Sequence, residues 1–427
     1  MKRPRREYQR PSLGKAELRE IEILRVGTQG DGVAEGPVYA PFTLPGERVR
    51  ARVQAGRGEL VEVLTPSLER QAPPCPHFFA CGGCALQHWS DRPYLAWKTG
   101  LIREALSREG LETEILPPVA CAPGTRRRLA LHARPGRPGE ARLGYKARGS
   151  WTLVDIEVCP IADPRLVASF PALRRVAAAF LEHPRSAPTL HATWTETGLD
   201  VDVTGVERRT GGLSADGGLK AAEAAEAGGL ARVTLAGELI YQASRPTIRI
   251  GQALVALPPG AFLQATAGAE QSMGDFILEA ADGADRVADL FCGVGTFSFR
   301  LAERAGVLAA DASAEAIAAL GAAVGAAPGL KPIAAEARDL FRRPVLAHEL
   351  RAVQAVVFDP PRAGAEAQAR QIAESAAARA IGVSCNPATF ARDARILVDG
   401  GFTLDRLLPV DQFLWSPHVE LVGVFSR

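Results

Sequence analysis

Apolar and polar residues alternate in short runs near the start of the chain. Four runs between residues 17 and 65, separated by Gly and Pro, show the pattern: LREIEILRVG, GPVYAPF, ERVRARVQA and GELVEVLT. Alternation with a period of two predicts half-buried β-strands, and short strands joined by tight turns are typical of a small β-barrel of the oligonucleotide-binding kind. We therefore predict a barrel over residues 13–68. It follows a basic arm at 1–12, in which five of the first ten residues are Lys or Arg.

The same alternation returns in the middle of the chain. Between Arg126 and Thr204 it appears in RRRLALHAR, ARLGYKAR, WTLVDIEV and TWTETGLDVDVTG, which predicts an antiparallel sheet. A helix is predicted before it, over Tyr94–Arg108. The low-complexity stretch that begins at Gly211 predicts a loop with a short helix. Together these elements predict a central antiparallel α+β domain over 69–260.

The pattern changes again from about Asp275. Apolar strand-like runs (RVADLF, GVLAAD, AVQAVVFD, AIGVSC) alternate with Ala-rich helical stretches. This order predicts a parallel α/β sheet. We therefore expect a Rossmann-like domain over 261–427, and an α/β fold class for the chain.

Composition narrows the class of protein. A chain of 427 residues with 47% hydrophobic composition is expected to divide into two or three domains. No segment approaches the roughly 18 consecutive apolar residues of a spanning helix, so we expect no membrane insertion and a cytoplasmic location. The net charge is only +2. The cluster Arg126, Arg127 and Arg128 is compatible with phosphate contacts and equally with ordinary solvated charge.

A glycine-rich turn lies between a predicted strand and a predicted helix in RVADLFCGVGTFSFRLA. Gly293 and Gly295 permit a tight turn and close approach of a ligand to backbone N–H groups. Asp311 ends the next strand, where a carboxylate can accept hydrogen bonds from ribose hydroxyls. Dinucleotide binding is a competing interpretation, but Ser298 breaks the full G-x-G-x-x-G spacing. A nucleoside cofactor such as S-adenosylmethionine fits better.

Three further strand ends carry reactive groups. Asp359 precedes a rigid Pro-Pro turn in VVFDPPRAG, which is typical of methyl transfer to a planar base. Cys385 ends a strand in GVSCNPATFARD, a position that favours a thiolate nucleophile over a buried structural cysteine. Glu420 precedes the last strand and could serve as a general base. We assign no role to the nearby His418; a structural or substrate-positioning histidine is the favoured interpretation.

These motifs carry a resemblance to a known family. DLFCGVGTFS, FDPPRAG, SCNPATFARD and HVE, in this order, resemble the uracil-5 RNA methyltransferases. The amino half, with a TRAM-like barrel, CPHFFACGGCALQHW and LGYKARGSWTLVDIEVCPI, resembles the iron–sulfur branch that acts on 23S ribosomal RNA. The resemblance covers nearly the whole chain. It implies an enzyme that methylates carbon 5 of a uridine in RNA, with S-adenosylmethionine as the methyl donor. We expect the protein to be a monomer.

The resemblance also implies roles for individual residues. Cys385 is implied to attack carbon 6 of uracil, and Glu420 to remove the carbon-5 proton. Five positions are implied to bind the cofactor: Gln264, Phe291, Gly293, Asp311 and Asp359. Asp311 replaces the family's more usual Glu, and Thr266 and Thr296 stand where Asn is common.

Three of the chain's seven cysteines lie within CPHFFACGGC. The pattern C-x5-C-x2-C needs one more thiolate for a four-cysteine site, and Cys159, at the end of VDIEVCPI, is the natural candidate. From spacing alone zinc and iron–sulfur both remain open. The resemblance implies a [4Fe–4S] cluster on four residues: Cys75, Cys81, Cys84 and Cys159. The spacing is not the C-x3-C-x2-C of radical S-adenosylmethionine chemistry, and we assign no special chemistry to Cys121 and Cys292.

Two other functions compete with uracil methylation. An exocyclic-nitrogen methyltransferase would explain the DPP turn and would not need Cys385. A non-catalytic RNA-binding or ribosome assembly factor on a methyltransferase scaffold is a third hypothesis, against which the retention of Asp311, Asp359, Cys385 and Glu420 argues. Transfer-RNA enzymes of the family typically lack the barrel and the cluster, so both favour ribosomal RNA as the substrate.

Overall fold

The computed structural model describes residues 16–207 and 212–427. The predicted basic arm at 1–12 and Gly211 lie outside the described residues. Contacts divide the chain into two compact units. One contains the described part of Met1–Pro73 with Cys84–Trp97 and Trp415–Pro417, and the other contains Pro74–Gly83, Lys98–Leu414 and His418–Arg427.

A closed five-stranded barrel forms at the amino end, which confirms the predicted barrel. Its strands are β1 (Glu17–Val26), β2 (Gly32–Ala34), β3 (Val38–Ala40), β4 (Arg48–Gln54) and β5 (Arg57–Thr65). The alternation in β4 has the expected effect: Val49, Ala51 and Val53 are buried in the barrel core. Arg50 points outward and pairs with Glu20 and Glu62 on the neighbouring strands.

Helix α1 (Asp91–Arg108) begins three residues before the predicted start, with Asp91 in its first turn, where a carboxylate favours the helix amino end. Two short strands follow, β6 (Glu114–Ile115) and β7 (Val119–Ala120).

A seven-stranded sheet forms the centre of the larger unit, in the order β10-β9-β8-β11-β12-β13-β14. Its strands are β8 (Arg128–Pro135), β9 (Ala141–Lys146), β10 (Leu153–Asp155), β11 (Thr189–Thr195), β12 (Gly198–Thr204), β13 (Arg232–Leu235) and β14 (Glu238–Gln242). Its helices are α2 (Pro164–Ala168), α3 (Phe170–Ala179) and α4 (Ala215–Ala227). Residues of all three helices share one apolar core with one face of the sheet.

Two features of this sheet differ from the sequence prediction. The stretch predicted as a loop with a short helix contains the 13-residue α4, because Ser214 caps it by accepting a hydrogen bond from Gly217 N at 2.9 Å. The sheet is not purely antiparallel, since β12 and β13 are parallel. A parallel pair needs a crossover, and α4 supplies it.

The carboxyl-terminal part forms a nine-stranded sheet in the order β19-β18-β17-β20-β21-β23-β22-β6, with β7 also paired to β22. A hairpin precedes it, of β15 (Thr247–Ile250) and β16 (Ala253–Ala256). The new strands are β17 (Arg286–Leu290), β18 (Gly306–Asp311), β19 (Ile333–Ala337), β20 (Ala355–Phe358), β21 (Arg379–Ser384), β22 (Thr403–Asp411) and β23 (Glu420–Ser426). The new helices are α5 (Ala267–Ala280), α6 (Ser298–Ala302), α7 (Ala314–Ala326), α8 (Glu366–Glu374) and α9 (Pro387–Asp399).

The predicted parallel α/β sheet is confirmed for the strands from β17 to β21, and antiparallel strands extend it on one side. Strand β23 is antiparallel to both β21 and β22. Apolar cores cover both faces of the sheet. Among the described residues, no helix combines the length and apolar character that crossing a membrane requires.

Candidate active site

The strand register brings the predicted site residues to one edge of the nine-stranded sheet. Leu290, the last residue of β17, pairs with Ala310 of β18 and with Phe358 of β20, so these strands end side by side. Ser384 at the end of β21 pairs with Leu421 of the antiparallel β23. The first residue of β23 therefore lies at the same edge as the last residues of the parallel strands, which is where ligands bind in such sheets.

The glycine-rich turn after β17 has the conformation that its sequence requires. Gly293 and Gly295 have φ values of 55° and 96°, a region that favours glycine. A Cβ at Gly295 would lie 2.7 Å from the Phe299 ring. Phe291 also has a positive φ, 63°, and its ring centroid lies 5.6 Å from that of Phe341. A non-glycine residue in this region is strained, which is common where a loop meets a ligand.

Asp311 connects this turn to the next strand end. Its Oδ2 accepts a hydrogen bond from Gly293 N at 2.9 Å, and its Oδ1 accepts one from Ser313 N at 2.8 Å. Each carboxylate oxygen has a second acceptor position. The side chain can thus hold the turn in place and still accept hydrogen bonds from a ligand.

Asp289 lies fully buried beneath the turn, and the sequence analysis did not single it out. Its Oδ2 accepts a hydrogen bond from Ser298 Oγ at 2.5 Å, while its Oδ1 has no partner among the described residues. Burial raises the pKa of Asp289 to about 7, and the Ser298 hydrogen bond only partly offsets this effect.

A chain of two amides joins the two carboxylates of the site. Gln264 Nε2 donates to Asp359 Oδ2 at 2.9 Å, and Gln264 Oε1 accepts from Gln412 Nε2 at 2.8 Å. The same Gln412 Nε2 donates to Glu420 Oε2 at 2.5 Å. Gln412 Oε1 accepts from Ala265 N at 2.8 Å, and this bond fixes the orientation of the Gln412 amide.

Gln412 was missed in the sequence analysis. It follows Asp411, the last residue of β22, so a polar pair directly after an apolar strand was the available signal. Asp411 forms a buried ion pair with Lys98, and Lys98 Nζ also donates to the Phe413 carbonyl at 3.1 Å. The residues on both sides of Gln412 are therefore held by one buried cation.

Cys385 follows the last residue of β21 and is partly buried. Burial raises the pKa of its thiol, and the charges of Glu420 and Asp359 add to the rise. The Arg362 guanidinium, which donates a hydrogen bond to the sulfur, acts in the opposite direction. Arg362 was also missed in the sequence analysis, although it stands in the same FDPPRAG motif as Asp359. The site thus contains a thiol with a cation beside it, the environment in which a thiolate can form.

The two carboxylates hold protons more tightly than exposed ones would. Glu420 is 3% exposed, and burial raises its pKa well above the ordinary value, with a further rise from Asp359 and a partial offset from the Gln412 hydrogen bond. Burial raises the pKa of Asp359 to about 7. A buried carboxylate with a raised pKa is a stronger base than an exposed one, which suits it to accept a proton.

The arginine cluster has a structural role that neither interpretation of the sequence anticipated. Arg127 Nε donates to the Gln264 carbonyl at 3.1 Å, and its guanidinium forms an ion pair with Glu270. Arg128 donates to the Leu263 carbonyl, and burial with the neighbouring arginines lowers its pKa to about 10. These side chains hold the backbone on which Gln264 stands.

Two other predicted residues contact protein rather than an open site. Thr266 caps α5 by accepting a hydrogen bond from Ala269 N at 3.1 Å, and its hydroxyl lies 3.5 Å from the Cys121 sulfur. His418 packs edge-on against Phe413, with ring centroids 6.0 Å apart. Burial lowers the pKa of His418 to about 4, with Arg362 and Lys98 adding to the effect, so it is neutral at physiological pH.

A cavity of about 320 Å³ opens next to the amide chain. Its lining includes Gln264 and Gln412 on the side of the site, with Arg126, Phe262 and Phe413 around them. The volume falls in the range of small-ligand pockets, and the lining offers aromatic rings and convergent polar groups.

The predicted metal ligands fall in different parts of the structure. Cys75, Cys81 and Cys159 lie in the larger unit and Cys84 lies in the smaller one. The first three are close enough for electrostatic interaction: burial raises the pKa of Cys159 to about 11, and Cys75 and Cys81 add to this rise. Across residues 16–207 and 212–427, no three or more His, Cys, Asp or Glu side chains are arranged to hold a metal ion.

Comparison with known proteins places this site in a family context. A family described as tRNA (Uracil-5-)-methyltransferase matches residues 252–427. An uncharacterised RNA methyltransferase of Caulobacter vibrioides is 62% identical over 415 residues, which cover 96% of this chain and 100% of the relative. The 23S rRNA (uracil(1939)-C(5))-methyltransferase RlmD of Chromohalobacter salexigens is 33% identical, over 95% of this chain and 89% of the relative.

A solved structure shares the fold over almost the full length. The tRNA (uracil-54, C5)-methyltransferase of Pyrococcus abyssi, in complex with S-adenosyl-L-homocysteine, matches with a TM-score of 0.71 and 21% identity. The match covers 95% of this chain and 99% of that structure.

Proposed function

This chain belongs to the RNA (uracil-5-)-methyltransferase family, as its resemblance predicted, and on that basis we propose that Cys385 and Glu420 carry out methylation of carbon 5 of a uridine with S-adenosylmethionine. The observation that carries the proposal is the juxtaposition of the two side chains. Strands β21 and β23 pair so that the residue after Ser384 and the residue before Leu421 lie at one sheet edge. This register supports the proposal that a nucleophile and a base act on the same uracil ring.

The first step uses the thiol. Carbon 5 of uracil is a poor nucleophile, so electron density must be supplied to it. The Cys385 thiolate adds to carbon 6, the sulfur–carbon bond forms, and the electrons of the carbon 5–carbon 6 double bond move to give an enolate. The hydrogen bond from Arg362 stabilises the thiolate in an otherwise unfavourable buried position.

The next steps move a methyl group and a proton. Carbon 5 attacks the methyl carbon of the sulfonium, and the sulfur–methyl bond breaks to leave S-adenosylhomocysteine. Glu420 then removes the carbon-5 proton, the double bond re-forms, and the bond between Cys385 and carbon 6 breaks. The raised pKa of Glu420 makes it a stronger base than an exposed carboxylate.

We propose that the methyl donor binds along the strand ends. The Asp311 carboxylate, which Gly293 N holds against the glycine-rich turn, has acceptor positions left for a ribose. Phe291 offers an aromatic ring for the adenine. Asp359, held by Gln264, faces the same edge and is suited to a cationic or amino group.

We propose that the target uridine reaches Cys385 and Glu420 beside the cavity that Gln264 and Gln412 line, where Gln412 contacts Glu420. An enzyme that modifies a base has to take it out of the stack, and flipped bases occupy snug pockets lined by aromatic and polar side chains. The lining residues Phe262 and Phe413 supply apolar surface of this kind.

For the RNA, we propose 23S ribosomal RNA. The support is the relative RlmD, whose name specifies 23S rRNA and which aligns with 95% of this chain. The architecture alone does not separate ribosomal from transfer RNA, because the Pyrococcus abyssi tRNA enzyme shares the fold over the same fraction of the chain. We further propose that the protein acts as a monomer.

We also propose that Cys75, Cys81, Cys84 and Cys159 hold a [4Fe–4S] cluster with a structural role. Three of these thiols influence one another electrostatically. Backbone N–H groups point at the sulfurs: Gly83 N lies 3.4 Å from Cys81 Sγ, and Ala162 and Ile161 donate to Cys159. Such donors are found around iron–sulfur clusters. The assignment of Cys84 rests on the C-x5-C-x2-C spacing alone.

We propose a four-part organisation with an arm at 1–12, a barrel at 13–68, a central cluster-bearing domain at 69–260 and a methyltransferase domain at 261–427. The closed barrel, the seven-stranded sheet and the nine-stranded sheet support the three structured parts.

The experiment that tests the proposed function uses RNA from a strain that lacks the protein. Labelled S-adenosylmethionine is incubated with ribosomal RNA and with transfer RNA, and the modified nucleoside is mapped by mass spectrometry. We expect 5-methyluridine in 23S ribosomal RNA with wild-type protein and none with Cys385→Ala. Label on an exocyclic nitrogen, full turnover by Cys385→Ala, or no label in any RNA would overturn the proposal.

A further inference from the structure

Strands β8 and β9 carry a row of cations on the face that points away from the helices, called the open face below. Leu131 on β8 and Leu143 on β9 are fully buried against the helices that cover the opposite face. The alternate positions therefore point away from that core. On this open face Arg134 pairs directly with Arg142, while Lys146 stands four residues farther along β9. Adjacent strands thus place like charges next to one another, which is unfavourable unless a ligand brings negative charge.

The electrostatics of a neighbouring histidine show how close these cations are. His132 lies on the same face of β8, two residues before Arg134. Partial burial lowers its pKa, and Lys146, Arg134 and His191 each lower it further. Residues 141–154 contain three basic side chains and no acidic one. Asp155, just beyond, is already paired with Arg174 at 2.6 Å.

An exposed tryptophan stands at the end of this row. Trp151 lies in the connection between β9 and β10 and is 80% exposed, unusual for so large an apolar ring. The Lys146 ammonium sits 4.0 Å from the ring centroid, a cation–π contact that holds the indole in place. The connection itself is fixed by hydrogen bonds, from Ala147 N to the Thr152 carbonyl at 2.8 Å and from Ser150 N to the Ala147 carbonyl at 3.1 Å. The ring therefore lies largely exposed on a hydrogen-bonded connection, with Lys146 against it.

We propose that Trp151, with Lys146, Arg134 and Arg142, forms a binding site for single-stranded RNA outside the target nucleotide. An unpaired base stacks on the indole, and the adjoining phosphates lie against the cations. An aromatic ring flanked by positive charge is the arrangement by which proteins bind single strands without reading their sequence. A protein-docking surface would be depleted of charge at its centre, which this face is not.

The inference rests on the proposed function only in taking RNA as the substrate. It adds a contact that anchors the RNA away from the chemistry. Its loss should therefore weaken RNA binding without changing the chemical step.

Binding of a fluorescein-labelled single-stranded fragment of 23S ribosomal RNA, followed by anisotropy, tests the proposal in the full chain. Removing a stacked base contact typically costs ~1–3 kcal/mol, so we expect Trp151→Ala to raise Kd by about fivefold or more. Trp151→Phe, which retains a ring, should stay within about twofold of wild type. Leu239→Ala is the matched control, because Leu239 is 62% exposed on the strand at the far edge of the same sheet.

The salt dependence of RNA binding tests the contribution of the charged side chains. Lys146→Gln should reduce the slope of log Kd against log salt by about one, which is the contribution of a single phosphate contact. Lys220→Gln, on an exposed lysine of α4, should leave the slope unchanged. In methylation assays Trp151→Ala should raise KM for RNA and leave kcat and KM for S-adenosylmethionine unchanged.

Equal RNA affinity of wild type and Trp151→Ala would overturn the proposal, and it is the result that a protein-docking surface would give. An equal loss in Trp151→Phe together with a lower melting temperature would assign Trp151 a structural role and also overturn it. Failure of the proposed function is distinguishable. In that case wild type would methylate no uridine, while RNA binding would still depend on Trp151.

Discussion

The side-chain amide of Gln412 contacts both Glu420 and Gln264, which holds Asp359. Its nitrogen donates to Gln264 and to Glu420, and its oxygen accepts from the backbone of Ala265. One group thus orients the proposed base and, through Gln264, the Asp359 carboxylate. Gln412 donates to Glu420 Oε2, and the other carboxylate oxygen of Glu420 does not accept from this amide. In the proposed mechanism that second oxygen would take the proton of carbon 5.

Replacement of Gln412 by Met, which is similar in size but has no amide, should lower kcat about tenfold or more. The pKa of Glu420 should rise further without the hydrogen bond, so the acidic limb of the pH–rate profile should move to higher pH. Kinetics over a range of pH measure both effects. Gln271→Met, at an exposed position on α5, is the control. An unchanged profile with unchanged kcat would remove Gln412 from the mechanism.

Asp289 predicts a pH dependence of stability. Its pKa in the folded protein is about 7, above the ordinary value for an unfolded aspartate of about 3.9. The folded state therefore retains a proton that the unfolded chain releases, and stability is lost as pH rises through this interval. Asp289→Asn removes this loss, so its free energy of unfolding relative to wild type should rise between about pH 4 and about pH 7 by on the order of a few kcal/mol.

Urea denaturation at several pH values measures this difference. Asp282→Asn, at a largely exposed carboxylate, is the control for the change from carboxylate to amide. If the difference between Asp289→Asn and wild type does not change with pH, the buried carboxyl does not titrate as expected.

The loop–helix element after β21 positions the proposed nucleophile. Asn386 follows Cys385 and caps α9, because its Oδ1 accepts a hydrogen bond from Ala388 N at 3.1 Å. Its Nδ2 donates to the Arg362 carbonyl at 3.0 Å. One side chain therefore begins the helix behind the thiol and holds the loop whose arginine contacts the sulfur.

Two variants of Asn386 separate these roles. Asn386→Ala should lower the free energy of unfolding by about 1 kcal/mol through loss of the cap, and should also slow methylation. Asn386→Asp retains a cap acceptor and should recover stability, but it lacks the donor to the Arg362 carbonyl and should remain slow. Thermal unfolding and single-turnover assays give the two measurements. Full activity of Asn386→Asp would show that the contact to Arg362 is dispensable.

At the scale of the whole molecule, the segment that contains Cys75 and Cys81 is joined to the β9–β10 hairpin, which carries Lys146 and Trp151 of the proposed RNA-binding site. Cys81 forms an antiparallel bridge with Ala147, and Gly82 N donates to the Lys146 carbonyl at 3.0 Å. A Cβ at Gly82 would lie 2.7 Å from that carbonyl, so the two backbones approach closely. A change in the conformation of the cysteine-containing segment is therefore expected to shift Lys146 and Trp151.

Cys159→Ser tests this connection. We expect loss of bound iron, measured by elemental analysis and by visible absorbance, and weaker RNA binding. S-adenosylmethionine binding, measured by calorimetry, should be unchanged, because its proposed site lies on the other sheet. Cys121→Ser is the matched control. Iron bound equally by wild type and Cys159→Ser, or by neither, would contradict the cluster assignment.

The local elements and the family follow from the sequence because their causes are local. Alternation with a period of two places the barrel strands, and the strand–turn motifs place Phe291, Asp311, Asp359 and Cys385 at strand ends without reference to the rest of the chain. The length of α4 and the parallel pairing of β12 with β13 do not follow in this way. They depend on a cap and a crossover that a low-complexity stretch does not indicate.

Contacts between distant segments became visible only in three dimensions. Gln412 meets Gln264 across nearly 150 residues of sequence, and Lys98 meets Asp411 across more than 300. Such pairs leave no periodic or motif signal, because each partner is one polar residue among many. The arginine cluster and Trp151 show the same limit: a sequence records that a residue is charged or aromatic, and burial and neighbours decide whether it holds a backbone carbonyl or is presented to a ligand.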